Sequence, residues 1–197
     1  MYEAKNYDHL LGLDGFSDKQ LEAHFKLYQG YVNNTNTVIS KVREYVDANE
    51  FGPEFSEIKR RFGWEFDGMR LHEYYFDNLT NDKAAREFDK DSEFAAKIKE
   101  CYGSLENGHT ELTATASMRG IGWAIMAYDK VADRIFTTWA NEHDAGHLAG
   151  AVPLLVMDVF EHAYAFDYGT NRKEYIEAFY NATDWSKVKE RFDAARK

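Results

Sequence analysis

The sequence has one cysteine, Cys101, in 197 residues. A lone thiol excludes an internal disulfide and a thiolate zinc site. Proline is scarce too, at two residues, so long uninterrupted helices are permitted over much of the chain. No apolar run approaches the ~20 residues needed to cross a bilayer, so a membrane is not an expected partner. Met1 to Asn6 lacks a charged stretch leading into an apolar one. No signal peptide is visible, and the expected compartment is the cytoplasm. Basic residues number 24 against 34 acidic ones, a net charge of −10. A nucleic-acid binder usually shows a basic face, so nucleic acid is not expected as a partner.

What the chain has in quantity is material for a core: 44% hydrophobic and 16% aromatic residues, far too apolar for disorder. No internal repeat or low-complexity tract is present. Ser17-Asp18-Lys19-Gln20 has the form of a capping box. Behind it Leu21, His24, Tyr28, Tyr31, Val38, Val42 and Tyr45 fall on one stripe at helical spacing, up to Gly52-Pro53. A short helix is predicted over Glu54–Arg61, and another carries Met69, His72, Tyr75, Phe76 and Leu79 on one face. Two long helices with a modest connection read as an antiparallel hairpin.

Thr80-Asn81-Asp82-Lys83 is the candidate boundary, dividing the chain into 1–83 and 84–197. Beyond it, helices are predicted over 93–102 and 105–117. Strands are predicted over 121–128, 134–140 and 152–157, and closing helices over 172–181 and 185–195. The expected fold is α+β: a helical hairpin, then a C-terminal α/β domain with a small three-stranded antiparallel sheet.

The sharpest local feature is Asp158-Val159-Phe160-Glu161-His162. A carboxylate emerging from a buried strand must be neutralised, paired or bound to a metal. His162 follows four residues later, close enough for both to reach one ion. His24 and His72 each lie inside the apolar stripe of a long helix. Each placement also suits an ordinary core histidine with a satisfied hydrogen bond. Together with Asp158 and His162, they could form a site of three imidazoles and one carboxylate, a donor set that suits iron, manganese or zinc.

Asp158-Val159-Phe160-Glu161-His162-Ala163-Tyr164 resembles the signature of the iron/manganese superoxide dismutases, usually Asp-Val-Trp-Glu-His-Ala-Tyr. The likeness extends along the chain in order. It takes in Tyr31-Val32-Asn33-Asn34, Arg70 to Phe76 around His72, Gly120-Ile121-Gly122-Trp123, Asn171 to Ile176, and Asn181 to Trp185. The resemblance implies a two-domain subunit disproportionating superoxide on one Fe or Mn ion, as a homodimer or tetramer. Its ligands would be His24, His72, Asp158 and His162, with a solvent molecule as fifth ligand.

Other roles follow by position. Tyr31 falls at the mouth of the substrate funnel. His143 falls where many members have Gln and some His, bonding the metal-bound solvent. Trp123 would line the metal pocket. Glu161 would reach the metal-ligating histidine of a partner subunit, and Lys26 and Arg172 match positions near the funnel. The family's first histidine and funnel tyrosine usually stand eight apart, with a bulged turn between; here they stand seven apart, two turns of plain helix. Leu27 and Ala165 replace both halves of a polar contact across the family's dimer, so the dimer contact must differ in detail. Phe160 replaces the usual Trp, and Val156 leaves the metal choice unread. Two other readings remain at this stage: a different Fe/Mn-dependent oxidoreductase, or a non-catalytic dimeric paralogue with the same metal site.

Overall fold

A computed structural model describes all of residues 1–197. The first helix, α1, spans Asp18–Ala48. Its N-cap Ser17 accepts a hydrogen bond from the Gln20 amide, and Asn49 ends it in the left-handed region. The second, α2, spans Pro53–Phe76 with proline in its first turn. This corrects the sequence expectation of two pieces. The charged stretch does not break the helix: residues 62–68 hold no proline and are half-buried or buried, and Arg61 donates to Glu65 Oε1 one turn on at 2.6 Å. The helix ends before Leu79, whose amide closes a tight turn on the Phe76 carbonyl. Ring contacts pair His24 with His72, and Tyr31 lies against Gly68, so the pairing runs in opposite directions and the hairpin is antiparallel.

The C-terminal part contains α3 (Glu93–Tyr102), α4 (Leu105–Ala116), the strands β1 (Gly122–Asp129), β2 (Arg134–Asn141) and β3 (Val152–Asp158), a 3-10 turn over Glu161–Ala163, and α5 (Ala165–Tyr168), α6 (Arg172–Asn181) and α7 (Trp185–Ala195). The sheet is antiparallel in the order β2-β1-β3. The central strand β1 is buried along nearly its whole length, so alternation is absent there. Pro153 can donate no ladder bond and sits on the edge strand β3, beside a register shift at Met126/Ala127.

Register places the site. Trp123 pairs with Ala140 on one side and with Asp158 on the other. Gly122 starts β1 with φ +152°, and a Cβ there would lie 2.1 Å from the Ala140 carbonyl oxygen. Only glycine lets β2 close on β1 at this point. One continuous apolar core joins both halves, including Tyr28, Tyr75 and Phe76 from the hairpin and Trp123, Leu155 and Phe179 from beyond it.

Candidate metal centre

The centre lies where the inner part of the hairpin meets the end of the sheet. α1 supplies His24, α2 supplies His72, β3 ends on Asp158, and the following 3-10 turn carries His162. His24, His72 and Asp158 are buried, while the His162 side chain is 28% exposed. The Nε2 atoms of His24, His162 and His72 stand 3.2, 3.1 and 3.5 Å from Asp158 Oδ2. All four donor atoms lie within 4.8 Å of one another. Neighbouring ligands on an ion at about 2.1 Å, with bond angles of roughly 90–110°, stand about 3.0–3.4 Å apart.

The free valences point the same way. His72 Nδ1 donates to the Gly68 carbonyl at 2.5 Å, which leaves Nε2 as an acceptor. That Nε2 is buried without a hydrogen-bond partner. Asp158 Oδ1 accepts from the Phe160 amide at 2.9 Å, so Oδ2 faces the imidazoles. Burial holds the His24 imidazole below its ordinary pKa, against the pull of Asp158. Burial, then the neighbouring His24, hold His72 well below it. Burial alone would push the Asp158 carboxyl up, but His162 and His24 bring it well below the usual carboxylate range. Neutral imidazoles with an ionised carboxylate are the protonation states a metal needs. An orphaned buried nitrogen, donors gathered close together and a nitrogen/oxygen donor set fit one iron or manganese ion.

A second layer of groups adjoins these four. His143 is buried, and its Nδ1 accepts from Trp123 Nε1 at 3.1 Å. Burial brings its pKa down to about 4, so at neutral pH the ring is uncharged with its proton on Nε2. That N–H donates to Tyr31 Oη at 2.7 Å. Tyr31 stacks on His72 with ring centres 5.2 Å apart. Burial first, then Asp158 and Glu65, push its hydroxyl up to about 12. α1 is regular helix from His24 to Tyr31, as the seven-residue spacing requires. Phe160 stacks on His143 and on His162, at 4.7 and 4.9 Å.

Three expected residues stand further out. Glu161 is exposed, and it lines a groove with Met118, Tyr164 and Arg172. Arg172 is tied down there: it donates to the Met118 and Gly120 carbonyls at 2.7 and 2.8 Å and to Tyr164 Oη at 3.2 Å. Lys26 is exposed on α1 and forms no hydrogen bond or ion pair, so the structure does not join it to the four-residue cluster. Leu27 is half-buried and Ala165 exposed.

Comparison with known proteins matches residues 90–191 to the family described as iron/manganese superoxide dismutases, C-terminal domain. The superoxide dismutase [Fe] of Aquifex pyrophilus is 36% identical, aligned over 96% of this chain and 91% of its own. This chain belongs to the iron/manganese superoxide dismutase family. The superoxide dismutase [Mn] of Haloarcula marismortui is 33% identical, over 86% of this chain and 81% of its own. The superoxide dismutase [Mn/Fe] of Propionibacterium freudenreichii subsp. shermanii is 31% identical, over 88% and 86%. Relatives with either metal in their names agree with a metal choice that Val156 leaves unread.

Three further residues shape the centre of this family member, and sequence reasoning missed them. A Cβ on Gly68 would lie 2.5 and 2.7 Å from ring carbons of Tyr31. A helical glycine one turn before His72 on the same face was the available signal. Gln20 is buried, but its side chain does not complete the capping box. Instead it donates to the His162 carbonyl at 2.5 Å and accepts from the Phe166 amide at 3.2 Å. Tyr175 Oη donates to the Asp158 carbonyl at 2.5 Å. No local pattern marks either contact, since each spans a long stretch of sequence or a change of element.

Proposed function

We infer that this chain converts two superoxide anions and two protons to dioxygen and hydrogen peroxide, on one iron or manganese ion held by His24, His72, Asp158 and His162. The carrying observation is the convergence of three imidazole nitrogens on Asp158 Oδ2 in a chain of this family. When bound by these four residues, the ion would supply the one-electron redox chemistry of the disproportionation. Asp158 contributes the single anionic ligand, so the ligand set leaves net positive charge at the centre. Phe160, Gln20 and Tyr175 hold the Asp158–His162 segment in place through their hydrogen bonds.

Trp123 fixes the tautomer of His143, and His143 in turn orients Tyr31. Because Tyr31 Oη accepts from His143, its own proton is free to be offered to an anion arriving beside His72. A small anion approaching a chain of net charge −10 needs local positive charge, the role read for Lys26 and Arg172. The division at 80–83 fits this reading, with two ligands from each part.

A homodimer or tetramer is the proposed assembly, with exposed Glu161 reaching a histidine ligand of a second copy. The exposed Phe166 (59%) and Met118 (48%) near the same segment support a covered surface. No helix is long and apolar enough to cross a membrane; the cytoplasm is the proposed compartment, on the single cysteine.

The test is superoxide removal by the chain loaded anaerobically with iron or with manganese. At least one form is expected to be active, and His162→Ala is expected to lose both metal and activity. Full activity in His162→Ala, or two inactive loaded forms, would reject the reading.

A further inference from the structure

The loop from β2 to β3 carries His143 into the centre, yet residues 144–150 are exposed. Its start is a tight turn: the Asn141 amide donates to the Ala145 carbonyl at 2.7 Å, and Glu142 sits at φ +53°. A non-glycine residue in the left-handed region is held there by its surroundings. The Glu142 amide donates to the Ile121 carbonyl at 3.2 Å, and Thr138 Oγ1 donates to the Gly146 carbonyl at 3.2 Å. Both of these bonds run to the sheet or the segment entering it. They anchor the loop to its own half of the chain; on the hairpin side, His143 bonds Tyr31 and meets the Trp64 ring edge-on at 4.8 Å.

His147 adds a polar contact with α2 beyond the His143 ring itself. Its Nε2–H donates to the His143 carbonyl oxygen at 2.7 Å, and the same nitrogen stands 3.7 Å from Asp67 Oδ2 on α2. This is the one polar contact between residues 142–150 and α2; it lies beyond hydrogen-bond distance. The contact is partly sheltered, with His147 and Asp67 side chains 33% and 28% exposed. Asp144 acts on the same carboxylate and approaches α2 at Gly63. Asp67 adjoins Gly68, against which Tyr31 lies. One end of the contact therefore touches the backbone of His143, and the other the stretch of α2 that seats the hydroxyl His143 bonds.

We propose that His147 is a positioning residue: donating to the His143 carbonyl and standing against the Asp67 carboxylate, it helps hold the His143 loop onto α2 and so sets the Trp123–His143–Tyr31 alignment beside the metal site. The proposal rests on the dismutase reading and on His143's part in it. Loss of the clamp lets the loop drift while the four ligands stay in place. The expected signature is therefore a changed metal potential with retained metal, which a purely structural contact would not produce.

The test is the midpoint potential of the iron-loaded protein, by mediated redox titration, with metal content and melting temperature measured alongside. Four variants accompany the wild type. His143→Ala removes the ring itself. His147→Phe keeps a ring without a donor, and His147→Gln keeps an N–H at similar reach. Asp67→Ala breaks the other end of the clamp and guards against a misfolded His147→Phe. His143→Ala is expected to change the oxidised-to-reduced ratio at fixed solution potential by tenfold or more. His147→Phe and Asp67→Ala are expected to change it in the same direction by about threefold, about 30 mV at 59 mV per tenfold for one electron. His147→Gln is expected to match the wild type. A shifted His143→Ala with wild-type potentials in folded His147→Phe and Asp67→Ala overturns the clamp and leaves the dismutase reading standing. An unmoved His143→Ala overturns His143's role and the clamp with it.

Discussion

The two sides of the metal centre are built by different means. On the hairpin side, His24, Tyr31 and His72 project from two long helices and are placed mainly by packing: Tyr31 rests on His72 and on the bare backbone at Gly68, with one hydrogen bond from His72 to the Gly68 carbonyl beside it. On the sheet side, Asp158, His162 and His143 sit at a strand end, a 3-10 turn and a loop. They are placed by hydrogen bonds from Phe160, Tyr175, Gln20 and Trp123. The hairpin side should therefore respond most to added volume, and the sheet side to lost donors. A metal ion joins the two, so its removal should affect both.

That joint effect is the largest expected. An ion binding only the folded chain at a thousand times its Kd stabilises by about 4 kcal/mol. For a chain of this size that is roughly 8–16 °C in Tm. Calorimetry of loaded and metal-stripped protein measures it, and equal Tm values would mean that the ion does not bridge the two sides.

The sheet side carries the next effect. With a folded pKa of about 4 against an ordinary 6.5, His143 binds its proton more readily in the unfolded chain. Its contribution to stability is full above pH 6.5, falls as the pH drops through the window to 4, and amounts to about 3 kcal/mol. Denaturant titrations of metal-free protein at pH 7, 5.5 and 4 should show this decline. His143→Gln should flatten its part of it; an unchanged slope would place His143 in water.

On the hairpin side, Gly68→Ala should destabilise by about 1–3 kcal/mol through overpacking and displace Tyr31. Chemical denaturation reads the first, and superoxide removal the second. The smallest effect belongs to Tyr175→Phe, which removes one donor to the Asp158 carbonyl: about 1 kcal/mol by denaturation, and a few-fold weaker metal retention. A larger metal loss in Gly68→Ala than in Tyr175→Phe would reverse the comparison.

The same contrast explains what the sequence disclosed. The helices were legible because caps and stripes are local: Ser17 opens α1, and the predicted spans 93–102, 172–181 and 185–195 coincide with α3, α6 and α7. The predicted strands differ from β1, β2 and β3 by no more than one residue at each end. The division of α2 was misread because residues 62–68 are buried or half-buried by tertiary packing that a hydrophobic stripe does not reveal. Among the site residues, the four donors stood out as polar groups in apolar settings. Gly68 did not, since its contribution is the side chain it lacks. Gln20 and Tyr175 did not either, because their partners lie 142 and 17 residues away and are backbone carbonyls, which no residue type announces.

The claim on which all of this depends is that Asp158 gathers three imidazoles from both halves of the chain around one ion. Metal content per chain, measured by mass spectrometry on wild type and Asp158→Ala purified in the same way, tests it most directly. The account predicts about one iron or manganese ion per wild-type chain and less than about a tenth of that in the folded variant. An Asp158→Ala protein that retains a full complement of metal would contradict it.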